Sequence, residues 1–93
     1  MQIIIVGCGK VGRTLAEQLQ EEDTDITLID INPDRINEII DEVDAMGVVG
    51  NGASINTLME AGIETADILI AVTVSDEMNL LCCLIAQKTG HCH

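Results

Sequence analysis

The sequence predicts an α/β fold: a Rossmann-like parallel sheet of strand order 3-2-1-4 with helices on both faces, cut off before a fifth strand. Three observations carry that expectation. Short apolar runs alternate with helical-period segments along the chain; a glycine loop, Gly7-Cys8-Gly9-Lys10-Val11-Gly12, joins the first run to the first helical segment; and an acid, Asp30, ends the second run. Alternating strands and helices with short connections build right-handed βαβ units. A G-x-G-x-x-G between strand and helix, followed by an acid after the second strand, is the dinucleotide fingerprint. The ligand crevice is then expected over the carboxyl ends of the first and fourth strands.

Taken in order, residues 2–6 are almost wholly apolar, as a parallel strand covered on both faces must be. Val11, Leu15 and Leu19 follow at helical spacing, with Glu17, Gln18, Glu21 and Glu22 on the other side. Asp23-Thr24-Asp25 breaks that helix, and Ile26 to Ile29 form the second strand, ending at Asp30. Asn32-Pro33-Asp34 reads as a cap, a first-position proline and a first-turn acid. The helix they open carries Ile36, Ile39, Ile40 and Val43 on one face and is expected to end near Asp44. Ala45 to Val49 form a third strand, and Gly50-Asn51-Gly52-Ala53 a loop leading to Ser54 as a second cap. A short helix with Ile55, Leu58 and Met59 inward is expected to stop at Gly62, a left-handed terminator. Asp67 to Thr73 is the fourth strand, and Ser75-Asp76-Glu77 opens a last helix that runs to Lys88. Its run Leu80-Leu81-Cys82-Cys83-Leu84-Ile85-Ala86 is apolar on all sides, more than one sheet face can cover. A further segment or a partner subunit is therefore expected against it, and the fourth strand is expected to be an edge.

At 93 residues, 1–93 is expected to be a single domain with no room for a separate catalytic unit. The net charge of −12 argues against nucleic acid as a partner, since a phosphate backbone needs an extended basic surface and there are four Lys and Arg in all. One bound dinucleotide remains compatible, because its site is local. The longest apolar run is far shorter than the ~20 residues of a spanning helix, and Ile3 to Val6 is too short for a signal peptide, so a cytosolic location is expected. Cys8, Cys82, Cys83 and Cys92 fit reduced thiols better than a disulfide framework. Without Phe, Tyr or Trp, an adenine ring has only aliphatic side chains to lie between.

The glycine loop is expected to cradle a pyrophosphate at a helix N-terminus, where free N–H groups and the dipole favour an anion. Lys10 and Arg13 either supplement that cradle or point to solvent. Asp30 is placed to accept the adenosine ribose hydroxyls and to repel a 2′-phosphate, which favours NAD over NADP. Arg35 either meets the adenosine end or lies on an exposed helix face. Asn51 and Thr73 are polar residues at strand ends in the expected crevice, and ordinary loop chemistry is the competing account. Asp76, Glu77 and Asn79 are explained by first-turn acids and a polar helix face more simply than by a cation. His91, Cys92 and His93, with Cys82 and Cys83, suggest zinc, but their spacing matches no closed-site pattern. No catalytic constellation appears, and Cys8 reads as a small filler residue.

Four blocks together, Val6 to Gly12, Leu28 to Arg35, Gly50 to Ala53 and Ala71 to Leu81, resemble the KTN domain, the RCK N-terminal or TrkA-N domain of Trk potassium-uptake regulatory subunits. The resemblance covers essentially the whole chain. It implies a cytoplasmic regulatory domain, not an enzyme, that senses NAD or NADH, or ATP or ADP in some relatives. Such a domain forms a homo-oligomer, a dimer or higher, against a membrane potassium transporter subunit at the inner face of the cell membrane. It further implies that Gly7, Cys8, Gly9, Lys10 and Val11, with Gly12, hold the pyrophosphate. Asp30 and Ile31, with Arg35, would take the adenosine, while Asn51, Gly52, Ala53, Thr73 and Val74 line the rest. The family's later strands, crossover helix and C-terminal regulatory domain are missing, which suggests a fragment of a longer protein. The cofactor half of an NAD-dependent dehydrogenase is the alternative; it requires a substrate domain and a catalytic His or Lys in the cleft. A methyltransferase-type domain is disfavoured by the full glycine spacing.

Overall fold

In the computed structural model, which describes residues 1–89, strands and helices alternate along the chain. The strands are β1 (Gln2–Val6), β2 (Asp25–Asp30), β3 (Ala45–Val49) and β4 (Ile68–Ala71), and all pair in parallel in the order β3-β2-β1-β4. The helices are α1 (Lys10–Leu19), α2 (Pro33–Ile40), α3 (Ile55–Glu60) and α4 (Asp76–Thr89). The expected fold class and strand order hold.

Side chains alternate across a strand, so β1 feeds two cores. Ile3 and Ile5 join Ile26 and Leu28 under Ala16 of α1 and Ile36 and Ile39 of α2. Ile4 and Val6 join Ile29 and Val48 under Leu58 of α3 and Cys82 and Ala86 of α4. Each fully buried Ile, Leu or Val contributes about 1.5 to 3 kcal/mol, and β1 has four such residues in a row. The two registers, Val6 beside Ile29 and Val6 beside Ala71, bring the carboxyl ends of β1, β2 and β4 level. That end of the sheet is where the loops converge.

Several local expectations are corrected. α2 stops at Ile40, and the N–H groups of Glu42 and Val43 both donate to Ile39 O in a closing turn. The acids Asp41, Glu42 and Asp44 would oppose the negative end of a longer helix, yet Val43 still reaches the core. In the six-residue α3 only Leu58 is buried; Ile55 and Met59 are 42% and 44% exposed, because only the Leu58 edge of the face that the three share meets the core. Ser54 precedes α3 without a side-chain capping bond. Gly62 does take the left-handed conformation expected of it, with φ +90°. The ladder of β4 ends at Ala71, short of Thr73.

On α4, Cys82 and Ala86 are buried while Leu80, Leu81 and Leu84 are exposed by 63%, 48% and 45%. One sheet face covers part of this helix, as its composition foretold. Among the described residues no helix is long and apolar enough to cross a membrane.

Candidate functional site

The site is built from the glycine loop upward. Gly7 leaves β1 with φ +107°, a conformation that side chains resist, and a Cβ there would lie 2.9 Å from the Val72 carbonyl. Gly12, in the first turn of α1, packs so tightly that a Cβ would fall 1.9 Å from Gly7 O. Helix, loop and the end of β4 are thereby pressed together. Gly9 differs: nothing lies within 4 Å of the position of its Cβ. It is the N-cap of α1 and provides no side-chain cap, so the first-turn N–H groups have no capping acceptor.

Asp30 ties the loops to one another. It is 8% exposed, its Oδ2 accepts the Cys8 N–H at 2.8 Å, and its Oδ1 accepts the Asn32 N–H at 2.8 Å. Its backbone carbonyl accepts the Gly50 N–H at 3.0 Å. Asn32 in turn caps α2 by accepting the Asp34 N–H at 2.9 Å, with Pro33 at the first position, as the sequence predicts. The Cys8 side chain is buried; burial, then the Asp30 charge, push its thiol up to about 12, partly offset by Arg35. A thiol held protonated is no nucleophile.

Between these loops and the β4 end lies a cleft of about 210 Å³. Its lining takes in Gly7, Gly9, Asp30, Ile31, Arg35, Gly52, Thr73 and Val74 from the expected set. Lys10 and Val11 are exposed on the first turn of α1, Cys8 and Gly12 are buried behind the loop, and none of these four lines the cleft. Asn51 and Ala53 also stay out of the lining, because the Asn51 side chain folds onto its own loop and accepts the Ala53 N–H at 2.8 Å. Arg13 is committed elsewhere, to Glu17 at 3.4 Å and to Glu42 beyond α2, whose side chain raises its pKa most. Arg35 is the one cation among the described lining residues.

Sequence reasoning did not place Val6, Ile29, Gly50, Val72, Ser75 or Met78 in the site, and these six complete the wall. Gly50 opens the loop that holds Asn51, and Ser75 reads as the start of the last helix, while Val6, Ile29, Val72 and Met78 carry no site signal beyond apolarity. Asn79 is not part of a merely polar helix face: its carboxamide is half-buried against Thr73. A larger hollow of about 840 Å³ at the amino ends of the strands is rimmed by Glu21, Glu22, Asp25, Asp44 and Glu60 with no cation in its lining, an environment that repels an anion. Among the described residues no group of three His, Cys, Asp or Glu could hold a metal ion. The zinc expectation rested on His91, Cys92 and His93, which lie outside the described residues.

A parallel α/β sheet with a glycine-loop cleft over its carboxyl ends defines a Rossmann-like domain. The TrkA-N domain family model matches residues 3–93, and the chain belongs to that family. The Trk system potassium uptake protein TrkA of Halomonas elongata is 48% identical over 87 residues, covering 94% of this chain and 19% of that protein. The chain thus spans about a fifth of the length of such relatives. The crystal structure of the TrkA-N domain of inner membrane protein ybaL from Escherichia coli superimposes with a TM-score of 0.85 at 25% identity, over 96% of this chain and 65% of that one. The Kef CTD of Shewanella denitrificans, in AMP bound form, gives 0.80 at 22% identity over 95% and 52%, a likeness of fold.

Proposed function

We propose that this domain is a nucleotide sensor of a potassium uptake system: NAD or NADH, or an adenine nucleotide such as ATP or ADP, binds the cleft as an effector. The observation that carries this is the open space over Gly9 at the N-terminus of α1. A Cβ would fill it, and unpaired N–H groups with the positive end of a helix dipole favour a phosphate there. Each Asp30 oxygen accepts one backbone N–H and keeps a lone pair for a ribose hydroxyl. Ile31 and Val74, 72% and 104% exposed at the mouth, offer the aliphatic surfaces between which adenine lies. The cleft is smaller than the roughly 300 to 1,000 Å³ of most ligand pockets, which suits the adenosine half of a dinucleotide. A protein of the same fold, the Kef CTD, has been solved in AMP bound form.

The sole ionisable side chains among the described lining residues are Asp30 and Arg35. In this reading the bound nucleotide acts through affinity and not turnover, as befits a regulatory domain. Residues 1–93 then form one domain of a longer cytoplasmic polypeptide, which works as a homo-oligomer against a membrane transporter subunit. Different affinities for two arrangements of the assembly would drive gating.

Calorimetric titration with NADH, NAD, NADPH, ATP, AMP and S-adenosylmethionine tests the reading. The expected order places NADH, NAD and adenine nucleotides ahead of NADPH and S-adenosylmethionine. A folded sample that binds none of them, or S-adenosylmethionine alone, contradicts it.

A further inference from the structure

The ladder between β1 and β4 ends at Ala71, and the Val72 N–H still donates to Val6 O at 2.8 Å. Thr73 lies beyond the reach of β1, on the wall of the cleft. Its partner comes from six residues further on. Asn79 Oδ1 accepts the Thr73 N–H at 2.8 Å, and Asn79 Nδ2 donates to the Thr73 carbonyl at 3.1 Å. These are the two bonds a residue exchanges with its opposite number in an antiparallel hydrogen-bonded pair. One side-chain amide thus does the work of a neighbouring strand. The Thr73 hydroxyl donates to the same Oδ1 at 2.6 Å and accepts the Ser75 N–H at 3.2 Å, while Ser75 Oγ accepts the Met78 N–H at 3.1 Å and caps α4.

We propose that Asn79 is a positioning residue of the cleft, holding the Thr73-Val74-Ser75 wall in its ligand-receiving shape before any nucleotide arrives. The proposal rests on the nucleotide reading above. Only a side chain with a donor and an acceptor on one planar group can close both bonds. Asp keeps the acceptors but sets a second oxygen against the Thr73 carbonyl, and Ala loses all three contacts. A wall whose polar groups are already satisfied need not be ordered on binding, and that is where preorganisation gains affinity. Gly7 packs against the Val72 carbonyl, so a displaced wall would also disturb the phosphate loop.

The test is calorimetric titration of ADP, NAD and NADH onto the wild-type chain, Asn79→Ala and Asn79→Asp, at a temperature where circular dichroism shows each folded. About 0.5 M salt screens the new carboxylate, and amide exchange at Thr73 is followed on the same samples. The expected result is an ADP affinity about tenfold lower in Asn79→Ala, an intermediate loss in Asn79→Asp, and faster exchange at the Thr73 N–H. A purely structural role would lower the melting temperature and leave the affinity of the folded protein unchanged. Wild-type binding with both folded variants within about twofold overturns the role of Asn79 alone. Should Asn79→Ala not fold, Asn79→Asp decides: wild-type affinity and exchange overturn the role. A wild-type chain that binds none of the three nucleotides overturns the cleft reading and this proposal together.

Discussion

The carboxylate of Asp30 accepts the backbone N–H of Cys8 at 2.8 Å across the gap between the ends of β2 and β1. A residue that the sequence assigns to ribose recognition is therefore also the pin of the phosphate loop. Its second oxygen holds Asn32, and the group is nearly buried. Asp30→Asn turns an N–H₂ toward one of two N–H groups and is expected to cost about 2 kcal/mol even without ligand, the scale of a buried hydrogen bond to a charged group. Urea unfolding of the ligand-free protein measures this. An unchanged midpoint would reduce Asp30 to a ligand contact.

Cys8 makes stability depend on alkaline pH. Its thiol is raised from 9.0 to about 12 in the folded state, chiefly by burial. The unfolded chain loses this proton first and so binds fewer protons above pH 9, which means stability falls as pH rises from about 9 to about 12, at up to roughly 1.4 kcal/mol per pH unit. Cys82, also raised by burial, adds a loss of the same sign. Unfolding curves of wild type and Cys8→Ala taken across that range should converge as pH rises. Parallel curves would show that the thiol ionises equally in both states.

Gly12 is the glycine with the least room for a side chain. With a Cβ 1.9 Å from Gly7 O, Gly12→Ala must push α1 off the loop and is expected to cost at least about 3 kcal/mol. Thermal unfolding by circular dichroism reads the loss. A midpoint near wild type would mean that the helix and loop pack more loosely than described.

The two arginines near the loops should separate cleanly. Arg13 is tied to Glu17 and Glu42 outside the cleft, whereas Arg35 lines it. NADH titrations are expected to show Arg13→Ala binding as wild type and Arg35→Ala binding about three- to tenfold more weakly, the worth of one charge-assisted contact. The opposite ranking would place the nucleotide on the α1 side of the loop.

Much of the fold was legible because its signals are local. The run Ile3 to Val6, the glycines after it, and the Asn32-Pro33 start of α2 act within a few residues of themselves, and each appears where it was expected. The end of α2 and the inward face of α3 were misplaced, because tertiary packing decides where a helix turns into the next strand and which edge of its apolar face meets the core. Asp30 was found by its spacing, but its grip on Cys8 was not, since no pattern announces which backbone N–H a carboxylate will reach. Asn79 looked like ordinary helix surface. Only the fold-back of α4 onto the end of β4 reveals its bonds to Thr73.

Gly9→Ala separates function from fold most directly. The residue has extended backbone, φ −77° and ψ −163°, and open space around its Cβ position, so alanine fits the folded chain. Stability is expected to stay within about 1 kcal/mol of wild type, a slightly poorer cap offset by a stiffer unfolded chain. The new methyl would occupy the space assigned to the phosphate, and NADH and ADP affinities should drop by at least about tenfold in parallel titrations. A folded Gly9→Ala that binds both nucleotides as tightly as wild type would contradict the account, because the loop would not be where the phosphate sits.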